Sequence, residues 1–206
     1  ISRMGGFCMF VIGLTGGIGT GKTQVSGILS HLGATVINAD LVGHEAYLPN
    51  TETWQVVVEA FGEGILTEND EIDRRALGTI VFSDPEQLKR LNAIMHPRIF
   101  DMIQARIDKL EKEGVEKVVV EAALLIEANW TPLATEVWVV RSNGNDVVQR
   151  LLSRNNMTEE TIKARIDSQM PQEERVTHAD VIIENDGDLG HLRERVENAW
   201  RERSPA

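Results

Sequence analysis

The apolar positions of this chain alternate between short continuous runs and stripes at helical spacing. Met9 to Leu14 is an apolar run bounded by glycines and reads as a buried strand. From Lys22 to Leu32 the apolar residues Val25, Ile28, Leu29 and Leu32 recur at helical spacing, and Gly33 supplies a stop. Ala34 to Ile37 reads as a second strand, ending at Asn38-Ala39-Asp40. Strand, glycine loop, helix and strand in about 30 residues make a βαβ unit, because parallel strands need a crossover.

Between Leu41 and Leu110 the strand pattern disappears. Val56, Val57, Ala60 and Phe61 suit one helix face, and Asp84-Pro85-Glu86 reads as a helix start with Asp84 as cap. Leu88, Leu91, Met95, Ile99 and Met102 continue at helical spacing, and Pro97 within that stripe is expected to kink or divide it. Strands then return at Val118–Val120, Val137–Val140 and Val181–Ile183. Helices are expected over Asp146–Arg154, Glu159–Asp167 and Leu189–Trp200, the first two separated by Asn155-Asn156-Met157-Thr158. No repeat or Pro/Gly/Ser linker marks a second independent domain. The pattern therefore predicts one α/β domain over 1–206 with a mainly parallel, helix-covered sheet, its core from 9–40 and 115–206 and a helical insertion over 41–110.

Charge narrows the partners. With Lys+Arg 21 against Asp+Glu 32, the net charge of −11 argues against a surface built to coat nucleic acid or anionic lipid, though it leaves room for a local basic pocket. No apolar stretch approaches the roughly 20 residues that span a bilayer. Arg3 followed by Cys8-Met9-Phe10-Val11-Ile12 resembles the start of a leader only faintly, since the run stops at Gly13 without a cleavage site; residues 1–8 read as an extension before a start at Met9. The lone Cys8 rules out an internal disulfide and fits a reducing compartment, so a cytoplasmic location is expected. Trp54, Trp130, Trp138 and Trp200 are scattered and read as packing residues.

The strongest chemical signal is Gly16-Gly17-Ile18-Gly19-Thr20-Gly21-Lys22-Thr23, which satisfies G-x-x-x-x-G-K-[ST] between a strand and a helix. Here Gly17, Ile18, Gly19, Thr20 and Gly21 turn backbone N–H groups toward a phosphate chain, and the helix N-terminus adds favourable potential. Lys22 is expected on the outer phosphates of that chain and the Thr23 hydroxyl on Mg²⁺. Asp40, just past the second strand, stands at the edge where open α/β sheets bind ligands. Position alone leaves it as a base or metal-shell group, or as the cap of the next helix. Glu121, ending the third strand, suits an acid meeting Mg²⁺ through water; the alternative is a solvated edge carboxylate. Arg150 and Arg154 lie four apart on one helix face and suit a polyphosphate, or else a solvated face. Arg74-Arg75 is ambiguous alone, and His96 before Pro97 reads as a structural histidine at a helix break.

Taken together, the chain resembles the dephospho-coenzyme A kinase family from about Met9 to Trp200. The likeness rests on the segments Leu14–Thr23, Leu32–Asp40, Arg74-Arg75-Ala76-Leu77, Phe82, Leu91-Asn92-Ala93-Ile94-Met95-His96-Pro97 and Leu124-Leu125-Ile126-Glu127. It implies a P-loop nucleoside-triphosphate-hydrolase fold with a five-stranded parallel sheet, a substrate-binding lobe over 41–110 and a lid at about 143–170. It implies ATP-dependent phosphorylation of the ribose 3′-hydroxyl of dephospho-CoA, giving CoA and ADP. Asp40 falls at the family's catalytic acid, Arg150 and Arg154 at lid arginines, Arg74, His96 and Leu124 on the substrate side, and Asn185 where the fold holds adenine. Two departures stand out. Asn38 replaces the first acid of a frequent Asp-x-Asp, and Glu121-Ala122-Ala123 lacks a frequent proline, as in animal bifunctional CoA synthases.

The nearest rival is another small-molecule P-loop kinase, of nucleoside or shikimate type, from which the 41–110 insertion and the Leu-Asn…His-Pro segment separate this chain. A nucleotide-switched binding module fits less well, since no Asn-Lys-x-Asp motif is present. A monomer or weak homo-oligomer acting on a small molecule is expected, with Lys22, Arg74, Arg150 and Arg154 forming a positive cleft on an acidic body.

Overall fold

A computed structural model describes residues 9–155 and 158–203, with only the backbone of Arg154 and Asn155. Five strands, β1 (Phe10–Gly16), β2 (Thr35–Asn38), β3 (Lys117–Glu121), β4 (Glu136–Arg141) and β5 (Val181–Glu184), form one sheet in the order β2-β3-β1-β4-β5. Every pairing is parallel, so all the carboxyl ends lie along one edge. In register, Leu14 stands beside Glu121 and Asn38 on the far side of Glu121, which sets the functional strand ends next to one another.

β1 is central and buried along its whole length, which is why it reads as a continuous apolar run and not an alternating one. Phe10, Ile12 and Leu14 project to one face, where they pack with Val25, Ile28 and Leu29 of α1 (Lys22–His31), Trp138 of β4, and Leu192, Val196 and Trp200 of α9 (Leu189–Arg203). Burying side chains of this size contributes about 1.5–3 kcal/mol each, and the two helices cover this face of the sheet. Trp138 and Trp200 are packing residues, and Lys117 sets its ammonium 5.1 Å over the Trp200 ring.

After β4 come α6 (Gly144–Asn155), α7 (Glu159–Asp167) and the short α8 (Gln172–Val176), with Val147, Leu151 and Ile162 buried together. α8 has no apolar stripe, and the sequence reading did not expect it.

The chain divides into two compact units, one of 1–38 with 109–206 and the other of 39–108. The second holds α2 (Ala39–Ala46), α3 (Glu52–Phe61), α4 (Arg74–Ser83) and most of α5 (Pro85–Lys112). Asp73 caps α4 by accepting from the amides of Arg75 and Ala76, and Asp84 accepts from Glu86 N as expected. Pro97 does not divide α5, which runs unbroken for 28 residues. An interior proline costs ~3 kcal/mol. The stripe Met95, Ile99, Ile103 and Ile107 is buried at spacing four, and four such side chains at about 1.5–3 kcal/mol outweigh that cost.

Candidate active site

The glycine-rich turn between β1 and α1 is held by its own Thr20 and by side chains from two other segments. Thr20 Oγ1 donates to Gly17 O at 2.9 Å, Asn185 Nδ2 to Thr20 O at 2.8 Å, and Gln169 Oε1 accepts from Ile18 N at 2.8 Å. Gly21 directly precedes the helix at φ 100°, in the left-handed region, and a Cβ there would lie 2.3 Å from Asn185 Nδ2. Both the conformation and the close approach require glycine. Gly19, at φ 74°, is similarly crowded by Val147 and Leu151. Lys22 Nζ donates back to the carbonyls of Gly16 and Gly17 at 2.8 and 3.1 Å, which stations the ammonium across the mouth of the loop.

In the first turns of α1, Thr23 Oγ1 donates to Glu121 Oε1 at 3.0 Å, and Ser26 Oγ donates to Glu121 Oε2 at 2.7 Å. Glu121 is buried, so the solvated-edge reading is set aside, and both of its oxygens are fixed by α1 hydroxyls. No group of three or more His, Cys, Asp or Glu among the described residues could hold a metal by itself. A hydroxyl beside one buried carboxylate instead fits Mg²⁺, which keeps several waters and takes phosphate oxygens as its other ligands.

Beyond β4 and β5 a second cluster forms. Arg150 of α6 donates to Ser142 Oγ at 3.0 Å and to Asn185 O at 2.9 Å, and Ser142 Oγ donates to Asn185 O at 2.7 Å. The Arg150 guanidinium is thus tied to the post-strand corner that carries Asn185; the Arg154 side chain lies outside the described residues. In the loop after β3, Leu124 is partly exposed while Glu127 pairs with Arg175 NH2 of α8 at 2.8 Å. Arg175 is 1% exposed. A cavity of about 160 Å³ opens here between Gly17, Ile18, Ser142, Gln169 and Arg175.

In the 39–108 unit, Asp40 is exposed in the first turn of α2. The helix starts at Ala39, so Asp40 stands inside the first turn and not at the capping position. His44, four residues on, shares its face. Arg74 NH1 meets His44 Nε2 at 3.0 Å, and its guanidinium lies 5.9 Å over the Tyr47 ring. Arg74 is therefore brought to the helix face that bears Asp40. His96 is half-buried within α5, and burial lowers its pKa below the ordinary histidine value.

The sequence reading missed Ser26, His44, Gln169 and Arg175. Ser26 and His44 had a signal, being three residues after Thr23 and four after Asp40 on helices already expected there or just after. Gln169 and Arg175 had none.

A family model described as dephospho-CoA kinase matches residues 10–191. A dephospho-CoA kinase of Geobacter sulfurreducens is 45% identical over 197 residues, covering 96% of this chain and all of that one. Among solved structures, TT1252 from Thermus thermophilus superposes with a TM-score of 0.80 at 30% identity, covering 96% of this chain and 99% of that one. Dephospho-CoA kinase from Campylobacter jejuni gives 0.71 at 30% identity, covering 94% and 96%.

Proposed function

The chain belongs to the dephospho-CoA kinase family, and from that membership we propose how its residues divide the work. The reaction is the phosphorylation of dephospho-CoA with ATP. The phosphate loop Gly17–Thr23 binds the ATP phosphates through its amides, and Lys22 follows the charge on the outer ones. Asp40 orients the ribose 3′-hydroxyl of dephospho-CoA and takes its proton as the oxygen bonds to the γ-phosphorus and the bond to the departing ADP oxygen breaks. Arg74 and His96 serve the substrate side from the 39–108 unit, with Leu124 from the loop after β3. Arg150 and Asn185 fix the nucleotide end, and Arg150 and Arg154 offset charge that grows during transfer. Thr23 would hold Mg²⁺ directly and Glu121 through water. The ion would neutralise phosphate charge. A cytoplasmic location fits this role.

The observation that carries this reading is the pairing of Thr23, directly after the glycine loop, with buried Glu121, whose two oxygens each accept from an α1 hydroxyl, an arrangement that suits a phosphate-bound ion. Its test is the pair of Lys22→Ala and Asp40→Asn. Each should cut transfer to dephospho-CoA by at least ~100-fold, consistent with loss of a general base or a charge-stabilising donor. Asp40→Asn should leave ATP affinity nearly unchanged. Near-normal turnover by Asp40→Asn would mean that it serves only the local structure of α2.

A further inference from the structure

We propose that Gln169 is a positioning residue for phosphoryl transfer, setting the Ile18 end of the phosphate loop from the segment that follows α7. This rests on the phosphate-loop reading above. The loop's chemistry depends on amides held in a fixed array, and at its start the Ile18 N–H is anchored on a side-chain acceptor 151 positions away in the chain, leaving the amides that follow to face the phosphates. Gln169 Oε1 is also 3.6 Å from where a Cβ on Gly17 would stand, so the amide oxygen rests over two consecutive loop residues.

Gln169 is itself held on both sides. Its backbone N–H donates to Ile166 O at 3.1 Å at the end of α7. Next to it, Met170 O lies 3.4 Å from Arg175 NH2, and the same guanidinium nitrogen is bound to Glu127. Pro171 stiffens the following turn, and Arg175 N donates to Pro171 O at 2.9 Å. A continuous set of contacts therefore runs from the loop after β3 through Glu127, Arg175 and Met170 to Gln169 and the phosphate loop. Arg175 Nε and NH1 and Glu127 Oε2 are buried without a hydrogen-bond partner, so the pair is spent on this one connection.

The experiment compares the full chain with Gln169→Ala and Gln169→Glu, measuring CoA formation, ADP release with and without dephospho-CoA, and thermal unfolding. Gln169→Ala removes the acceptor. It should lower kcat by about 10–100-fold, as displacement of a reacting group by about 1 Å does, with little change in KM for ATP. ADP release without acceptor should become a larger share of turnover. Gln169→Glu keeps an oxygen for Ile18 N–H but adds negative charge beside the phosphates. It should restore most of kcat while raising KM for ATP about tenfold, a ground-state penalty. A kcat for Gln169→Ala within twofold of wild type overturns the proposal. So do matching losses in both variants that follow a lowered unfolding midpoint, which is the mark of a purely structural contact. Failure of the wild-type chain on dephospho-CoA would instead overturn the substrate reading, and that outcome is read separately.

Discussion

Arg175→Met tests the buried pair on which the site's geometry leans. Methionine keeps an unbranched apolar stem and removes the guanidinium, leaving Glu127 with both oxygens bare in a site where its side chain is 23% exposed. Breaking a buried pair in this way costs ~3–5 kcal/mol because one charge stays behind unpaired. Partial exposure of Glu127 places this variant near the lower end, about 3 kcal/mol. Glu127→Met leaves Arg175, with a side chain 2% exposed, as the stranded charge, and about 4–5 kcal/mol is expected. The double variant removes both charges together and should lie within about 2 kcal/mol of wild type, since replacing a whole buried pair by apolar groups is often close to neutral. Urea unfolding followed by circular dichroism gives the four free energies, provided the slopes match. With singles near 3 and 4–5 kcal/mol and a double within about 2, the interaction energy should be at least about 5 kcal/mol in favour of the pair. Single-variant costs below ~0.5 kcal/mol, or a double variant equal to the sum of the singles, would refute the reasoning.

Other consequences follow from the same contacts. Gly21→Ala forces a side chain into the left-handed region and against Asn185 Nδ2, so it should cost about 1–2 kcal/mol for conformation and about 1–3 for the lost Asn185–Thr20 bond; wild-type urea stability would contradict this. Glu121→Gln leaves one side-chain oxygen to serve two hydroxyls, Thr23 and Ser26, and should raise the free Mg²⁺ needed for half-maximal rate about 10–100-fold. An unchanged Mg²⁺ titration would place Glu121 outside the metal's surroundings. For His96, burial lowers the folded pKa below the unfolded value of 6.5, so the unfolded chain binds the proton first. Its contribution is complete above pH ~6.5 and is lost as pH falls through the folded pKa, so the unfolding midpoint should fall more steeply with acid in wild type than in His96→Gln. Parallel pH curves would contradict it.

Much of the fold was legible because period and punctuation agreed. The run Met9–Leu14, the glycines after it and the stripe from Val25 to Leu32 located β1, the loop and α1 to within one or two residues. Asp84 announced its cap. Pro97 does not divide the helix, because the cost of its missing N–H is outweighed by burial along α5, which only the packed structure reveals. The candidate site's layout was legible where its residues are local in sequence, from Gly16 to Thr23, and where a strand end supplied one, at Glu121, whereas the role proposed for Asp40 rests on the family resemblance. It was not legible where a surface-type residue turns inward. Arg175 sits in a five-residue helix with no apolar stripe, and Gln169 reaches Ile18 across most of the chain. A buried arginine is indistinguishable from a solvated one until its carboxylate partner is in place. For Arg150, spacing left a polyphosphate contact and a solvated face open, and its hydrogen bonds run to Ser142 and Asn185.

The most direct measurement is a coupled ADP-release assay on the full chain with dephospho-CoA beside adenosine, AMP and shikimate. The account predicts rapid ADP release with dephospho-CoA, formation of CoA in equal amount, and only slow release with the other three. Turnover on any of those three with none on dephospho-CoA would contradict it.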